Sequence, residues 1–423
     1  MWEKIIRIWK IKDLRNSILF VLAMLVIFRL AANIPIPGID REALRNLFSQ
    51  NQFLGLINVF SGSAMSNFSV AALGVAPYIT ASIIFQLLVM IIPKLEELSK
   101  EEAGQQKINQ WTRYLSVPLA VLQSFGLITL LRQSSQQIIT DLAAVQLTFI
   151  VLTMTAGTVF LMWIGELISE RKIGNGISLL IFAGIISALP TALQQTLVTF
   201  DYSQIFTLVI FVLVALVTIV GVVIITEGER KVPVSYAKIV RGTRMYGGVD
   251  TYLPIKVNQG GVIPIIFAIS IILFPPMIAQ FFLNAKTEFL VRAAEWVIML
   301  FQNQLFYGIA YFLMVFAFTY FYTAVIFHPD QIAENLQKNG GFVPGIRPGK
   351  PTASYLQYTV NRIILTGAIF LGLIAVLPLA MQQLTGLQTL VIGGTSLLIV
   401  VAVVIDSVQQ INAQLTMRDY EGL

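Results

Sequence analysis

The sequence predicts an all-α protein that crosses a membrane several times. Of its 423 residues, 56% are hydrophobic and only 12% are charged, and the mean hydropathy is +0.78. Soluble domains carry about 45–50% apolar and about 25% charged residues, so lipid is the main solvent of this chain. Because lipid cannot satisfy free backbone groups, only helices and closed barrels span it. The apolar runs are as long as helices and not short alternating strands, which favours helices.

Ten apolar runs approach the length of about 20 residues that a bilayer requires. They are residues 18–32, 70–92, 114–131, 145–168, 177–198, 205–226, 257–282, 306–327, 360–380 and 390–411. The first run follows basic residues, as the core of a signal peptide does, but no A-x-A cleavage pattern follows it. We therefore expect this run to be retained as the first span.

Basic residues indicate which side of the membrane each connection occupies. If the N-terminus is cytosolic, few of the 28 basic residues face outward: Arg41, Arg45, Arg132, Lys286 and Arg292, with Arg29 near the outer end of the first span. The positive-inside rule therefore places both termini in the cytosol. Topogenic charge and attraction to anionic lipids account for the net charge of +6, so we expect no nucleic acid as a direct ligand.

One short string occurs twice at matching positions. Residues 74–79 read GVAPYI and residues 261–266 read GVIPII. Each string lies in the second span of a five-span half, so the halves, residues 1–200 and 201–423, would be inverted repeats. Glycine and proline breaks at such positions point to a pathway between the second and seventh spans. The alternative is coincidence, because these strings are common in apolar sequence.

Three connections between spans stand out. Residues 58–69 are too polar and too short to span, and their small side chains suit either a re-entrant half-helix packed inside the protein or an ordinary outer loop. Residues 227–256 and 328–359 form long basic loops on the inner side. These loops either carry function or serve only to set the topology.

The sequence offers little for catalysis, metal binding or ion coupling. There is no cysteine and a single histidine, His328, so we expect no metal and no cofactor. His328 precedes Pro329 and Asp330 at the end of an apolar run; we expect it to be solvated or capping, which disfavours an intramembrane hydrolase. Glu166 and Asp406 fall at the inner ends of their spans, where a basic neighbour is expected and not an ion relay.

The chain also lacks a nucleotide-binding loop. Residues 345–351 read GIRPGKP, without the first glycine of the phosphate-binding loop and with a proline after the lysine. We expect no enzyme, and energy for transport must come from a partner or from the membrane potential. A passive conduit fits these features, because an apolar constriction closes by dewetting. The alternative is an inverted-repeat secondary transporter of a small apolar solute.

Long stretches of the chain resemble the SecY family, whose members form the channel of the bacterial Sec protein translocase. The stretches are residues 29–40 (RLAANIPIPGID), 58–88, 165–190, 252–275, 340–352 (GGFVPGIRPGKPT) and 393–406. The resemblance implies a channel that passes unfolded polypeptides across the cytoplasmic membrane and releases apolar segments sideways into lipid. It also implies partners: SecE-like and SecG-like small subunits, the SecA motor, the ribosome, signal peptides and nascent polypeptides.

The resemblance further implies roles for particular residues. A pore ring of apolar side chains corresponds to Val75, Ile79, Ile177, Ile181, Ile266 and Ile399. A short re-entrant plug helix corresponds to Ser61, Gly62, Ser63, Ala64, Met65, Ser66, Asn67, Phe68 and Ser69. The lateral gate, formed by spans two, three, seven and eight, includes Gln86 and Asn258, which as bare sequence favour a helix–helix hydrogen bond. The docking surface for motor and ribosome includes Arg230, Lys231, Lys238, Arg241, Arg347 and Lys350.

Overall fold

The structure, a computed structural model, describes residues 9–37, 43–44, 61, 64–132, 143–198, 205–236, 239–241, 244–246, 250–283, 287–385 and 393–421. Its helices are α1 (Lys12–Asn33), α2 (Ala76–Ile91), α3 (Pro93–Ser99), α4 (Glu102–Arg132), α5 (Ala144–Glu170), α6 (Gly176–Val198), α7 (Ile205–Glu227), α8 (Ile263–Phe282), α9 (Glu288–Gln302), α10 (Gln304–Ile326), α11 (Pro329–Lys338), α12 (Lys350–Thr385) and α13 (Gly393–Glu421). Its strands are β1 (Glu229–Tyr236), β2 (Ile239–Arg241), β3 (Arg244–Tyr246), β4 (Asp250–Lys256) and β5 (Gly341–Phe342).

The helices follow the predicted apolar runs. Each run falls largely on one helix: α1, α2, α4, α5, α6, α7, α8, α10, α12 or α13. Among the described residues, five helices are long and apolar enough to cross a membrane, and α2 with α3, bent by 110° at their break, counts as a sixth if the pair is one span. The helical character of the runs is confirmed, whereas the number of ten spans and their inverted arrangement stay predictions.

Several helices begin elsewhere than their apolar runs. α2 begins at Ala76 and not at residue 70, because residues 70–75 form hydrogen-bonded turns and Gly74 has a φ of +57°. α4 begins at Glu102 and α12 at Lys350, well before the apolar runs at residues 114 and 360. Helical hydrogen bonds lie within the segment itself, so a helix can continue beyond the apolar part of its sequence.

The helix contacts fall into two groups. In the first group α2 packs on α4, α4 on α5, and α1 and α6 on α5. In the second group α8 packs on α10, α10 on α12, and α12 and α7 on α13. The groups meet where α2 and α4 contact α8 and where α6 contacts α13. This grouping is compatible with the predicted halves, residues 1–200 and 201–423, whose boundary stays a prediction.

Apolar side chains from both groups form one large buried cluster where the groups meet. It includes Val75 before α2, Ile181 of α6, Ile266 of α8 and Ile399 of α13. Outside this cluster, Leu213 of α7 is 59% exposed, as is typical of an apolar side chain on a lipid-facing helix. Because lipid chains are as apolar as these side chains, close packing and not transfer out of water holds such helices together.

A small sheet lies outside the predicted spans. β1 pairs antiparallel with β4, with Glu229 opposite Lys256, and also with β5, so the strand order is β4–β1–β5. β2 and β3 form a separate antiparallel pair. The expectation of a wholly helical chain is therefore wrong for these loops, because the requirement for helices applies only within lipid. We call this end of the helices the sheet end.

The described part of the predicted plug helix forms turns, so the prediction of a helix is wrong for these residues. Phe68 has a φ of +43°, which a right-handed helix does not allow. The backbone N–H of Ser69 donates to Ala64 O at 3.0 Å, five residues back and not four. Ser61 Oγ accepts from the backbone N–H of Met65 at 3.2 Å. Such side-chain bonds compete with helical hydrogen bonds.

Candidate functional site

α2 and α8 begin in the same way at the repeated string. Gly74 and Gly261 have φ angles of +57° and +58°, a left-handed conformation that glycine adopts without steric cost. Each helix begins two residues later, with Pro77 or Pro264 at its second position, where the missing N–H has no partner to lose. The string is therefore a helix start and not, as predicted, a break inside a helix. Its repeated conformation agrees with an internal duplication.

The six predicted ring residues lie near the starts of four helices. Val75 and Ile79 lie at the start of α2, Ile177 and Ile181 in α6, Ile266 in α8 and Ile399 in α13. Five of them belong to the large buried cluster with exposed fractions of at most 9%, and Ile177 packs partly buried against it. The structure thus brings all six into one apolar region. That they close a pore stays a prediction.

The described plug residues pack inside the protein. Ala64 belongs to the same buried cluster as the ring residues. Met65 and Phe68 pack in a second buried cluster against side chains of α4 and α5. Of the other predicted plug residues, Ser61, Ser66 and Ser69 are buried, Asn67 is half-buried, and Gly62 and Ser63 lie outside the described residues. This burial favours a re-entrant segment over an ordinary outer loop.

A backbone bridge fixes this segment beside the end of α1. Pro35 pairs with Ser69 in an isolated antiparallel bridge. The N–H of Ile36 donates to Phe68 O at 2.9 Å, and the N–H of Val70 donates to Ile34 O at 3.0 Å. Buried backbone groups require such partners, so the bridge lets the segment enter the protein without helical structure.

The helices of the predicted lateral gate contact one another, since α2 and α4 both touch α8, and α8 packs on α10. Gln86 Nε2 donates to Ser82 Oγ at 3.1 Å on the same helix, and Asn258 Nδ2 donates to Gly261 O at 3.0 Å. The buried Gln86 Oε1 and Asn258 Oδ1 accept no hydrogen bond from the described residues. Within the part of the chain that the structure describes, neither side chain therefore forms the predicted helix–helix hydrogen bond. Each unpaired buried acceptor costs about 1–3 kcal/mol.

Both carboxylates near the inner ends of predicted spans have basic neighbours. Glu166 of α5 forms an ion pair with Arg113 of α4, which matches the predicted pairing. Asp406 of α13 lies beside Gly261, and its carboxylate interacts electrostatically with Lys256 at the end of β4. A carboxylate with a basic neighbour near the inner end of a predicted span fits a structural contact better than an ion relay.

The two long basic loops form one unit. β1 and β4 belong to the first loop and β5 to the second, with Ser235 opposite Phe342. Beneath the sheet, Val232 and Val343 pack with Leu356 of α12 in a small separate buried cluster. The sequence treats these loops as independent segments, whereas the structure joins them into a single surface supported by α12.

Basic side chains project from this surface. Of the predicted docking residues, Arg230, Lys231, Arg347 and Lys350 are exposed, Arg241 lies in β2, and Lys238 lies outside the described residues. Gly345 and Gly349, with φ angles of +84° and +91°, turn the chain on either side of Arg347. Thr352 Oγ1 donates to Arg347 O at 2.9 Å. The backbone of Arg347 is thereby held while its side chain faces solvent.

A polar network that sequence reasoning missed connects the sheet to two helices. Lys256 Nζ donates to Gln409 Oε1 at 2.7 Å, and Gln409 Nε2 donates to Glu227 Oε1 at 2.9 Å. The network joins the end of β4, the end of α7 and the middle of α13. The bonded residues are 153 and 182 positions apart, so no local pattern could have revealed them.

The structure gives no catalytic or metal-binding arrangement within the residues it describes. No group of three or more His, Cys, Asp or Glu side chains there could hold a metal ion. His328 is exposed at the residue before α11, and its Nδ1 lies 3.3 Å from Ile326 O. It is therefore solvated, as predicted, and its side chain does not cap α11.

Comparison with known proteins places this arrangement in a family. The sequence pattern of the SecY family matches residues 69–408. Protein translocase subunit SecY of Mycobacterium bovis is 45% identical over 97% of both chains, and that of Streptomyces coelicolor is 44% identical over 98% of both chains.

Solved structures share the fold at low sequence identity. A protein-conducting channel is similar with a TM-score of 0.63 and 16% identity over 93% of this chain and 91% of that one. Sec61 in the canine ribosome–channel complex is similar with a TM-score of 0.59 and 16% identity over the same shares. These two likenesses concern the fold alone. The match over residues 69–408 and the 45% identity over 97% of both chains show that this chain belongs to the SecY family.

Proposed function

We propose that this chain is the pore-forming subunit of a protein translocase in the cytoplasmic membrane. Unfolded secretory polypeptides cross through it, and segments of membrane proteins leave it sideways into lipid. The observation that carries the proposal is family membership, since relatives 45% identical over 97% of both chains are translocase subunits. The chain accordingly functions as a protein-conducting channel. The proposal adds the route of the polypeptide and the lateral release of membrane segments.

The apolar region at the helix starts supports a passage between the two helix groups. Val75, Ile79, Ile181, Ile266 and Ile399 pack in one buried cluster. Apolar side chains around a narrow opening exclude water and ions without any charge. Flexible aliphatic side chains also accommodate varied polypeptides without binding one of them tightly. In the proposal these residues and Ile177 form the ring that seals the resting channel.

The plug segment and the gate helices supply the moving parts. Ala64 packs in the same cluster as the ring residues, a position suited to blocking the passage until a polypeptide displaces it. α2 and α4 touch α8, so their separation would open the passage to lipid. The unpaired oxygens of Gln86 and Asn258 favour that separation, since an open gate would let water reach them.

The proposed topology has ten spans in two inverted halves, with both termini and the sheet end in the cytosol. The positive-inside rule supports this orientation. The exposed Arg230, Lys231, Arg347 and Lys350 then face the cytosol, where they offer docking contacts to a motor ATPase and to the ribosome. SecE-like and SecG-like subunits, anionic lipids, signal peptides and nascent polypeptides complete the proposed partners.

The alternative of a secondary transporter finds no support in the comparisons. Coupled transporters place ionisable groups within the membrane as ligands or relays. Here Glu166 is paired with Arg113 between two helices, and Asp406 lies near Lys256 at the sheet end. Each carboxylate thus has a basic neighbour, which suits a structural contact and not an ion relay.

Reconstitution tests the proposed function directly. The chain is placed in lipid vesicles with its small partner subunits, and a motor ATPase, ATP and an unfolded secretory protein are added outside. We expect the secretory protein to become protected from added protease inside the vesicles. Vesicles without ATP provide the control. Saturable uptake of a small apolar solute without any protein translocation would instead establish the transporter.

A further inference from the structure

We propose that α9 is an interfacial helix whose apolar side inserts among the headgroups and upper acyl chains of the outer leaflet. α9 connects α8 to α10 and contains 15 residues, about 22 Å of helix. That length does not cross a hydrocarbon core of about 30 Å. The inference rests on the orientation proposed above and goes beyond it, because it assigns a lipid surface as the partner of one helix face.

α9 lies at the end of the helices opposite the sheet. α8 begins shortly after β4, and its 20 residues extend about 30 Å away from the sheet end. α10 returns over 23 residues towards α11 and β5. Phe267, near the start of α8, packs edge-to-face on Phe318 and Tyr322, near the end of α10, with centroids 6.1 and 6.0 Å apart. The two helices are therefore antiparallel, and α9 joins their far ends.

One face of α9 packs on the protein and a second face is polar. Ala294 is buried, and Phe301 packs edge-to-face on Phe306 of α10 at 5.5 Å. The polar face is a stripe with i, i+4, i+7 spacing, formed by Glu288, Arg292 and Glu295. All three residues are exposed, and Arg292 Nη2 lies 2.6 Å from Glu288 Oε1.

The third face of α9 is apolar and exposed. Phe289, Ala293 and Trp296 share the same i, i+4, i+7 spacing one residue further on, which places this apolar stripe about 100° around the helix from the polar stripe. Phe289 is 76% exposed and Trp296 is 64% exposed. The adjoining α10 also exposes apolar side chains near its start, with Leu305 68% exposed and Ile309 54% exposed.

A lipid surface explains these faces together. An interfacial helix buries its apolar side at the boundary between headgroups and acyl chains while its charged side stays in water. Tryptophan is favoured at that depth, and Trp296 lies in the apolar stripe. Because the adjoining α10, itself a predicted span, also exposes apolar side chains near its start, lipid is favoured over a separate protein partner. α9 would thereby anchor the outer end of α8, which α2 and α4 contact.

Fluorescence quenching tests the orientation of α9. A variant with W2F, W9F, W111F and W163F keeps Trp296 as its only tryptophan, and it is reconstituted with the small partner subunits. The vesicles contain phosphatidylcholine brominated either near the headgroup or near the chain end. A matched control carries Glu295→Trp with Trp296→Phe, which moves the tryptophan to the polar stripe. A depth reference carries Leu213→Trp with Trp296→Phe, on the exposed face of α7.

We expect bromine near the headgroup to quench Trp296 about twofold more than bromine near the chain end, with little quenching by aqueous iodide. The tryptophan at position 295 should respond to iodide and weakly to bromine, and the one at position 213 mainly to deep bromine. Equal iodide quenching at positions 295 and 296 would overturn the proposal. The proposal would also be overturned if bromine quenched Trp296 in vesicles without the small subunits but not in vesicles with them, because the apolar stripe would then bind a subunit. Vesicle translocation by the same variants separates this outcome from a failure of the channel function.

Discussion

The starts of α2 and α8 share a backbone conformation but have different surroundings. Gly74 and Gly261 have φ angles of +57° and +58°. A side chain added at Gly74 would meet Ser61 of the plug segment at 3.5 Å, whereas one added at Gly261 would meet Asp406 of α13 at 3.4 Å. The start of α2 therefore adjoins the segment proposed to block the passage, and the start of α8 adjoins the helix that is tied to the sheet.

The same local sequence pattern therefore begins two helices that have different neighbours. The shared features are the left-handed glycine, the proline and an isoleucine in the buried cluster, so changes in them should act alike at both starts. The neighbours differ, because Asp406 beside the start of α8 interacts with Lys256, which belongs to the network with Gln409 and Glu227. Changes in the neighbours should therefore act on one start and leave the other unaffected.

The largest effect is expected from a polar residue in the ring. Ile79→Asn and Ile266→Asn each place an amide in the apolar region, and water then enters it more easily. We expect either variant to raise ion leak through the resting channel by about an order of magnitude in planar bilayers. The control is Ile278→Asn on the exposed side of α8, 46% exposed. Unchanged conductance in both ring variants would remove these residues from the seal.

The next effect concerns the sheet end alone. Arg347→Glu reverses an exposed charge whose backbone is held by Thr352, so folding should persist while motor docking weakens. We expect several-fold slower motor-driven translocation into vesicles, since exposed charges at the edge of an interface mainly change the rate of association. Lys338→Glu, an exposed basic residue in the same loop, is the matched control. Native rates for Arg347→Glu, or an equal loss in the control, would exclude a specific contact.

A smaller and equal effect is expected at the two glycines. Gly74→Ala and Gly261→Ala each force a left-handed backbone on a residue with a Cβ, at a cost of about 1–2 kcal/mol in the free energy of unfolding. Thermal unfolding in detergent should show similar losses for both. Gly308→Ala in α10 is the control, because its Cβ would make an ordinary 3.5 Å contact with Val376. If only one of the two substitutions lowered the free energy of unfolding, the two helix starts would not be equivalent.

The smallest effect should distinguish the two gate amides. Gln86→Leu removes a buried unpaired oxygen and the donor to Ser82 Oγ, but the serine hydroxyl can rotate to donate to a carbonyl of its own helix, so the variant should raise the free energy of unfolding by about 1 kcal/mol. Asn258→Leu removes a similar oxygen, but its other partner is the fixed backbone carbonyl of Gly261, which loses a donor that it cannot replace by rotating, so the gain should be cancelled. Thermal unfolding measures both variants, with the exposed Gln105→Leu as control. Equal stabilisation by both substitutions would show that the bond to Gly261 contributes nothing.

Sequence patterns predicted the helices better than the loops. The ten apolar runs fall on helices because helical hydrogen bonds join residues only four apart. The plug prediction was wrong about helix, since Ser61 and Phe68 impose turns, yet right that small residues pack inside the protein. The pairing of Glu166 with Arg113 was expected from charge at a span end, although the partner was not named. Nothing in the sequence indicated the role of Gln409, because a single half-buried glutamine has no local sequence pattern.

By itself the sequence determined that this protein lives in a membrane, that its apolar runs are helices, and that glycine and proline recur where two of them begin. These features depend on composition and on bonds between near neighbours in the chain. Only the tertiary structure decided that the two basic loops share one sheet, with Ser235 opposite Phe342, and that Lys256 reaches Gln409 at the end of the same sheet. Such contacts join residues over 100 positions apart, and their formation depends on how the helices pack and not on any pattern along the chain.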